Sequence, residues 1–399
     1  PEKTKKGKPR FGAKALAKLQ GKHPLVDALH AYRKVNKLIG TYIGDPQATT
    51  KDAQLGLAYF CDQFGYIHAS SNTVGAVTGR TTCALPNLTQ VPSRADTFGL
   101  RGLFIAPKGY SIICLDYAGL ELRVMALYSK DKNMTLHLSD PKGDMHQFTA
   151  TKFGIPRDPA AKQVNFLVIY AGQEYMLSEQ LTFSGYPCTP KQCIGFIKGF
   201  DVIYPRVKAF RQELIAEYKA KGYVTLFTGR RRWFADPINW ENRWEAHKAE
   251  TTLANNTVQG AGQDFLKCAI IRSDPLAVNP ERVLLRSNFP FGPDHKAWLR
   301  DMAVRTDKVR SRLAKMKVTW RFQVHDEASW YCGDRKAEQD AAHVLADLMT
   351  WQHFFPAISD YNVPLVTEGG VGLSWKEAKS KQASVRVKAG FETFGKRDY

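Results

Sequence analysis

The spacing of apolar and polar positions changes several times along the chain, and each change marks a predicted element. Ile112 to Leu115 is an unbroken apolar run too short for a helix, so it reads as a buried strand. The run stops on Asp116. Past Gly119 the period lengthens: Leu120, Val124 and Leu127 fall on one helix face. A carboxylate thus stands where a buried strand gives way to a helix, with Tyr117 beside it and Glu121 one turn on. Taken alone, such an Asp would serve as a turn or cap residue.

Trp320 to Cys332 reads as two short aromatic and β-branched strands around His325-Asp326, a tight hairpin with acids at its tip. Strands this apolar belong to a core, and an acid at a core edge calls for a partner or a metal. Two Asp side chains on neighbouring sheet elements can hold paired Mg2+ ions about 4 Å apart, as in-line phosphoryl transfer requires. Between these stretches, Arg157 to Gly172 reads as a helix with Asp158 as N-cap and Pro159 at its first position. Lys162, Phe166 and Tyr170 advance about 40° per step and share a stripe, while Val164, Leu167 and Val168 cover the opposite side. The exposed stripe offers a cation suited to a triphosphate and rings suited to a base. On its own, the pattern is also that of a packing helix with a snorkelling lysine. Further helices are predicted over His23–Asp45, after Pro205, and over 336–351, with strands and loops through 46–110.

The chain has 399 residues, enough for two or three subdomains. Lys+Arg number 57 against 38 Asp+Glu, a formal charge of +19, which points to a polyanionic partner or simply to a soluble basic protein. Residues 1–24 read as a basic solvated tail or a phosphate-binding arm. Seven cysteines without a CxxC pair argue against a disulfide framework or zinc site and for a soluble intracellular protein. No run of eighteen apolar residues and no signal peptide is visible, so no membrane role is expected. The first residue is Pro, as in a trimmed product.

The three stretches resemble the motifs of family A DNA polymerases, the bacterial polymerase I type. DYAGLELRVMA is similar to DYSQIELRVLA, AAKQVNFLVIYAG to the fingers helix with Lys, Phe and Tyr at four-residue steps, and QVHDE matches the third motif letter for letter. Thr78–Pro92 resembles TGRLSSSDPNLQNIP, Phe227–Asp236 resembles FGRRRYVPD, and NNTVQGAGQDFLK (Asn255–Lys267) resembles the QGTAAD helix. Val371–Lys379 resembles the closing segment. The likeness covers about residues 14 to 380, with gaps.

The resemblance implies an α+β right hand with an antiparallel palm sheet, helical fingers and a partial thumb. It places a thumb remnant in 1–45, palm in 46–127, fingers in 128–258 and palm again in 259–399, with an insertion at about 270–319. That insertion reads as a surface embellishment, or as a DNA or partner contact through Lys308, Arg310, Arg312, Lys315 and Lys317. The implied reaction adds dNTPs to a primer 3′-hydroxyl on a DNA template. Two Mg2+ ions, with Mn2+ as a possible substitute, would sit on Asp116, Asp326 and the Tyr117 backbone carbonyl. Lys162 joins the two aspartates as a catalytic residue. His146, Lys162, Phe166, Tyr170 and Arg157 would contact the dNTP, and Glu121 would exclude a ribose 2′-hydroxyl. Arg80, Asn255, Gln259, His325, Glu327, Arg230 and Arg231 would approach primer–template DNA.

The sequence also departs from the family pattern. Asp158 stands where an Arg is usual, with Arg157 one residue earlier. Leu167 replaces a Gly, and the usual Tyr-Gly becomes Tyr170-Ala171-Gly172. The long thumb helices and an exonuclease are not found upstream, so an accessory or upstream polypeptide is an expected partner and proofreading is not expected of this chain. A primer–template binding remnant without catalysis, and a related polymerase using an RNA template, are the alternatives.

Overall fold

Two hydrophobic cores share one strand, which accounts for the unbroken apolar run at 112–115. The computed structural model describes residues 21–44, 56–92, 98–234, 238–287, 292–351 and 363–389, with isolated positions before 21. Most of the basic arm read at 1–24 lies outside the described residues, as do the last residues of the Phe227–Asp236 motif.

In chain order, helix α1 (Pro24–Leu38) precedes the short paired strands β1 (Ser70–Asn72) and β2 (Thr82–Ala84), then strand β3 (Ser111–Tyr117). A helical stretch follows: α2 (Leu120–Ser129), α3 (Lys132–Ser139), α4 (Met145–Phe153), α5 (Lys162–Val168), α6 (Glu174–Phe183), α7 (Pro190–Ile203) and α8 (Pro205–Lys221). Paired strands β4 (Tyr223–Thr225) and β5 (Arg231–Trp233) lead into α9 (Arg243–Ser273), α10 (Pro280–Arg286) and α11 (Pro293–Lys315). Strands β6 (Val318–Val324) and β7 (Glu327–Cys332) come next, then α12 (Glu338–Thr350), β8 (Thr367–Gly372), α13 (Trp375–Lys379) and β9 (Val385–Ala389).

The main sheet has the order β6-β7-β3-β8-β9, with every neighbouring pair antiparallel. Side chains alternate across a strand. In β3, Ile113 and Leu115 enter the large core with α2, α9 and α12, while Ile112 and Cys114 enter a smaller core with Val91, Val324 and Trp375. An antiparallel strand with one wet face alternates in polarity; covering both faces removes the alternation. Arg123 of α2 then pins the turn after β3 by donating to the carbonyls of Ala118, Leu138 and Pro364.

Helices begin where the sequence supplies acceptors: Asp131 caps α3, Asp144 caps α4, Thr189 and Gln192 form a capping box on α7, and Asn242 caps α9. The expected N-cap Asp158 behaves differently. Its backbone is extended within a wide turn over Arg157–Ala161, and its carboxylate pairs with Arg157 rather than capping α5. Helix α1 forms as its periodicity suggests, yet none of its residues is buried, and Leu25 and Tyr32 are exposed.

The expected insertion contains two helices folded back on the end of α9. Buried Arg310 donates to the carbonyls of Ile271, Arg272, Ala277 and Val278, and Arg272 pairs with buried Glu281. Arg312 pairs with Asp340. Arg310 and Arg312 are therefore engaged in holding this unit to the sheet domain.

Candidate active site

Asp116, near the end of β3, lies opposite Glu327 of β7. Strands β6 and β7 join through the two-residue tip His325-Asp326, as the hairpin pattern predicts. The Tyr117 N–H donates to the Asp326 carbonyl at 3.4 Å, which brings the second aspartate beside the end of β3. Both carboxylates line a cleft of about 660 Å3 whose walls include Tyr117, Glu121, Phe166 and Lys379. Burial pushes the Asp116 carboxyl up, against the pull of Lys379 and with a further push from Glu327. Burial also raises Asp326; Arg80 draws it back, and the charges of Asp116 and Glu121 add to the rise, to about 6.

Crowded oxygen donors of this kind fit a divalent cation, which would relieve their repulsion. Among the described residues no group of three or more His, Cys, Asp and Glu side chains could hold an ion. Water, backbone or a bound phosphate would therefore complete the shell.

Lys379, which the motif reading did not single out, lies at the centre of these charges. Its Nζ stands 2.9 Å from Asp116 Oδ2 and 2.8 Å from Glu327 Oε2. Burial would lower its pKa, but the two carboxylates outweigh burial and raise it. Glu327 also faces Arg101 at 3.5 Å and accepts from the indole N–H of Trp375, while Arg101 lies 4.0 Å from the Trp375 ring centroid. Glu327 was expected beside the primer end. It lines the cleft, with its carboxylate buried and held by this platform. These partners come from sequence-distant segments, Lys379 lying 263 residues from Asp116, so local pattern gives no sign of them.

The stripe is present, although α5 ends at Val168, short of the expected Gly172, and Tyr170 stands in the turn just past it. Lys162, Phe166 and Tyr170 are half-buried, and Val164, Leu167 and Val168 are buried behind them. Leu167, in place of the usual Gly, packs so closely on Gly172 that a Cβ at Gly172 would lie 1.8 Å from Leu167 Cδ2. The Tyr170 hydroxyl is buried beside Glu121, and burial, then the charge of Glu121 and a hydrogen bond to it, raise its pKa. His146 lies 5.5 Å from the Phe166 ring and accepts at Nδ1 from buried Asn165 at 2.9 Å, which leaves its proton on Nε2. Burial, helped by Lys162 and Arg157, lowers the imidazole pKa to about 4 against the pull of Asp144. His146 is thus neutral near pH 7. Arg157 binds Asp144 at 2.7 Å, the residue that caps the helix carrying His146.

On the other side of the cleft, Arg80 pairs with Glu121 at 3.2 Å, and its Nε is buried without a partner. Arg230 is engaged within the chain: it binds Asp264 at 3.2 Å and donates to the Thr78 carbonyl at 3.3 Å. A duplex contact would have to share that guanidinium. Arg231 is exposed and lies over the Tyr223 ring at 4.9 Å. Asn255 and Gln259 are half-buried on α9, and Gln263 continues their four-residue spacing to the hairpin tip. Glu250, on the same helix, pairs with buried Arg211 at 3.1 Å.

This sheet, with a carboxylate-lined cleft that Phe166 of the helical stretch also lines, is an α+β arrangement of the right-hand polymerase kind. Residues 1–285 match the model of DNA polymerase family A, and the chain belongs to that family. It is 30% identical over 387 residues to the thermostable DNA polymerase I of Thermus aquaticus, covering 95% of this chain and 39% of that protein. DNA polymerase I of Bacillus subtilis is 29% identical over 393 residues, with 95% and 37% covered. The chain therefore spans about two fifths of the length of the curated relatives it matches. The solved polymerase domain of Pol1 from M. smegmatis, in complex with DNA primer-template and dNTP, shares its fold. Its TM-score is 0.71 at 23% identity, covering 95% of this chain and 58% of that one. Among the described residues no helix is long and apolar enough to cross a membrane.

Two outcomes follow from the electrostatics. Lys379→Ala leaves Glu327 and Asp116 without their shared cation and costs on the order of 3 kcal/mol in urea unfolding, and clearly less in a Glu327→Gln background. An unchanged unfolding midpoint would remove the lysine from the charge balance. The His146 imidazole should titrate near pH 4 by NMR. Its folded pKa lies below the usual value of about 6.5, so the folded state binds fewer protons in that window and stability falls as pH drops from 6.5 toward 4. This acid limb should be shallower in His146→Gln, and a wild-type midpoint near 6.5 would contradict the burial argument.

Proposed function

We propose that this chain is a DNA-directed DNA polymerase that extends a primer 3′-hydroxyl with dNTPs and releases pyrophosphate. Residues 46–127 and 259–399 form the palm in this reading, and 128–258 the fingers. The observation that carries it is the meeting of Asp116 and Asp326, from strands far apart in sequence, in a cleft that also holds Glu121 and Phe166. Membership of DNA polymerase family A supports it, as does the likeness to a polymerase domain in complex with primer-template and dNTP.

Asp116, Asp326 and the Tyr117 carbonyl would hold two Mg2+ ions. When bound, such ions lower the pKa of an attacking hydroxyl and balance the charge of a leaving pyrophosphate. The remaining work belongs to side chains. Lys162 supplies positive charge to the triphosphate and can give up a proton to the leaving group. His146, neutral and protonated on Nε2, donates a hydrogen bond rather than a charge. Phe166 stacks on the incoming base, and Tyr170 closes the site behind it. Glu121, held by Arg80, crowds the ribose 2′ position. Arg80, Arg231, Asn255, Gln259 and His325 face primer–template DNA; Asn255 and Gln259 suit minor-groove acceptors common to all base pairs.

A binding-only reading draws on Lys379, whose ammonium already neutralises Asp116. Extension of a labelled DNA primer with dNTPs and Mg2+ separates the two. Wild type should extend on a DNA template, and Asp326→Asn should bind the same duplex but extend it on the order of a thousandfold more slowly, the loss of roughly 4 kcal/mol of transition-state stabilisation. Binding without extension by wild type would leave a primer–template binding protein, and extension on RNA alone would change the template. Glu121→Ala should raise incorporation of rNTPs relative to dNTPs by about tenfold or more, equivalent to ~1.4 kcal/mol of lost discrimination. Unchanged sugar choice would take Glu121 out of that role.

A further inference from the structure

We propose that Gln263 is a positioning residue for Asp326, orienting its carboxylate for a divalent cation. The inference rests on the proposed function of the cleft. Gln263 is buried at 1% exposure, and its side-chain amide donates to Asp326 Oδ1 and to the His325 carbonyl, both at 3.2 Å. Its own carbonyl oxygen accepts from Gln323 Nε2 at 2.7 Å, and Gln323 donates to the His325 carbonyl at 3.2 Å. Donors and acceptor of the Gln263 amide are thus all used. They grip a turn that needs holding, because His325 has φ of +55°, a left-handed conformation unfavourable for a residue with a Cβ.

The sequence of α9 adds a second observation. QGAGQD carries Gly262 and Gln263 where the related QGTAAD has two alanines. A methyl group at 263 could not reach Asp326. A Cβ at 262 would lie 3.0 Å from Leu120 Cδ2, so α9 runs close against the first residue of α2, the helix that follows Asp116. The missing methyl leaves room for the Leu120 side chain against α9, and the added amide reaches the tip carrying Asp326. Tying Oδ1 to an amide leaves Oδ2 as the freer oxygen for a cation.

The test measures cation binding apart from turnover. Mn2+ is titrated into the full chain and followed by electron paramagnetic resonance without dNTP, and the Mg2+ concentration for half-maximal primer extension is measured separately. Gln263→Ala should weaken Mn2+ binding by about 10- to 100-fold, the usual range for a residue that orients a metal ligand, and raise the Mg2+ requirement in proportion. Gln263→Met keeps length and volume without a donor and should show the same loss while still unfolding cooperatively. Gln323→Ala frees the amide without removing it and should shift both readouts in the same direction by a smaller factor. A folded Gln263→Met, or failing that Gln323→Ala, that binds Mn2+ within twofold of wild type overturns the proposal. Wild type that binds Mn2+ in a Gln263-dependent way but never extends a primer keeps the proposal and sinks the polymerase reading.

Discussion

Like charges crowded at one end of a sheet are the constraint around which the molecule is arranged. Asp116 and Asp326 are half-buried and Glu327 is buried, and their mutual repulsion favours protonation unless it is answered. Each is answered differently. Glu327 is held permanently by Arg101, Trp375 and Lys379; Asp116 shares Lys379; Asp326 has a neutral amide from Gln263 and a more distant field from Arg80. The compensation is graded. The acid deepest in the sheet is fully paired, and those facing the cleft keep charge to spend on something that arrives there.

The main elements around the carboxylates were legible because each depends on local chain chemistry. A short apolar run ending in Asp, the shift of period after Gly119, and aromatic strands around His325-Asp326 all act over fewer than about fifteen residues. The partners of those carboxylates were not legible, since Lys379 and Gln263 meet them only after the sheet order and the helix packing are set. Asp158 misled for a related reason: Asp-Pro is a sound helix start, but the neighbouring Arg157 competes for the carboxylate. Arg230 was expected to approach primer–template DNA, and only the folded chain brings Asp264 and the Thr78 carbonyl within its reach.

The basic composition has a similar double meaning. Arg101, Arg123, Arg211, Arg272 and Arg310 are all buried, and their guanidinium groups join carbonyls and carboxylates of other elements and loops. A planar group with several donors can satisfy a loop or helix end that has no regular partner. Part of the formal +19 is therefore structural, and the charge presented to a polyanion is smaller than the sequence count suggests.

Helix α9 has 31 residues and is about 46 Å long at 1.5 Å per residue. Glu250 near its start is tied to Arg211, Gln263 meets the hairpin tip, and Arg272 near its end is locked to Glu281. A helix fastened at three points along its length behaves as a beam. The end that meets α10 and α11, the hairpin tip and the helical block are thus joined through one continuous helix.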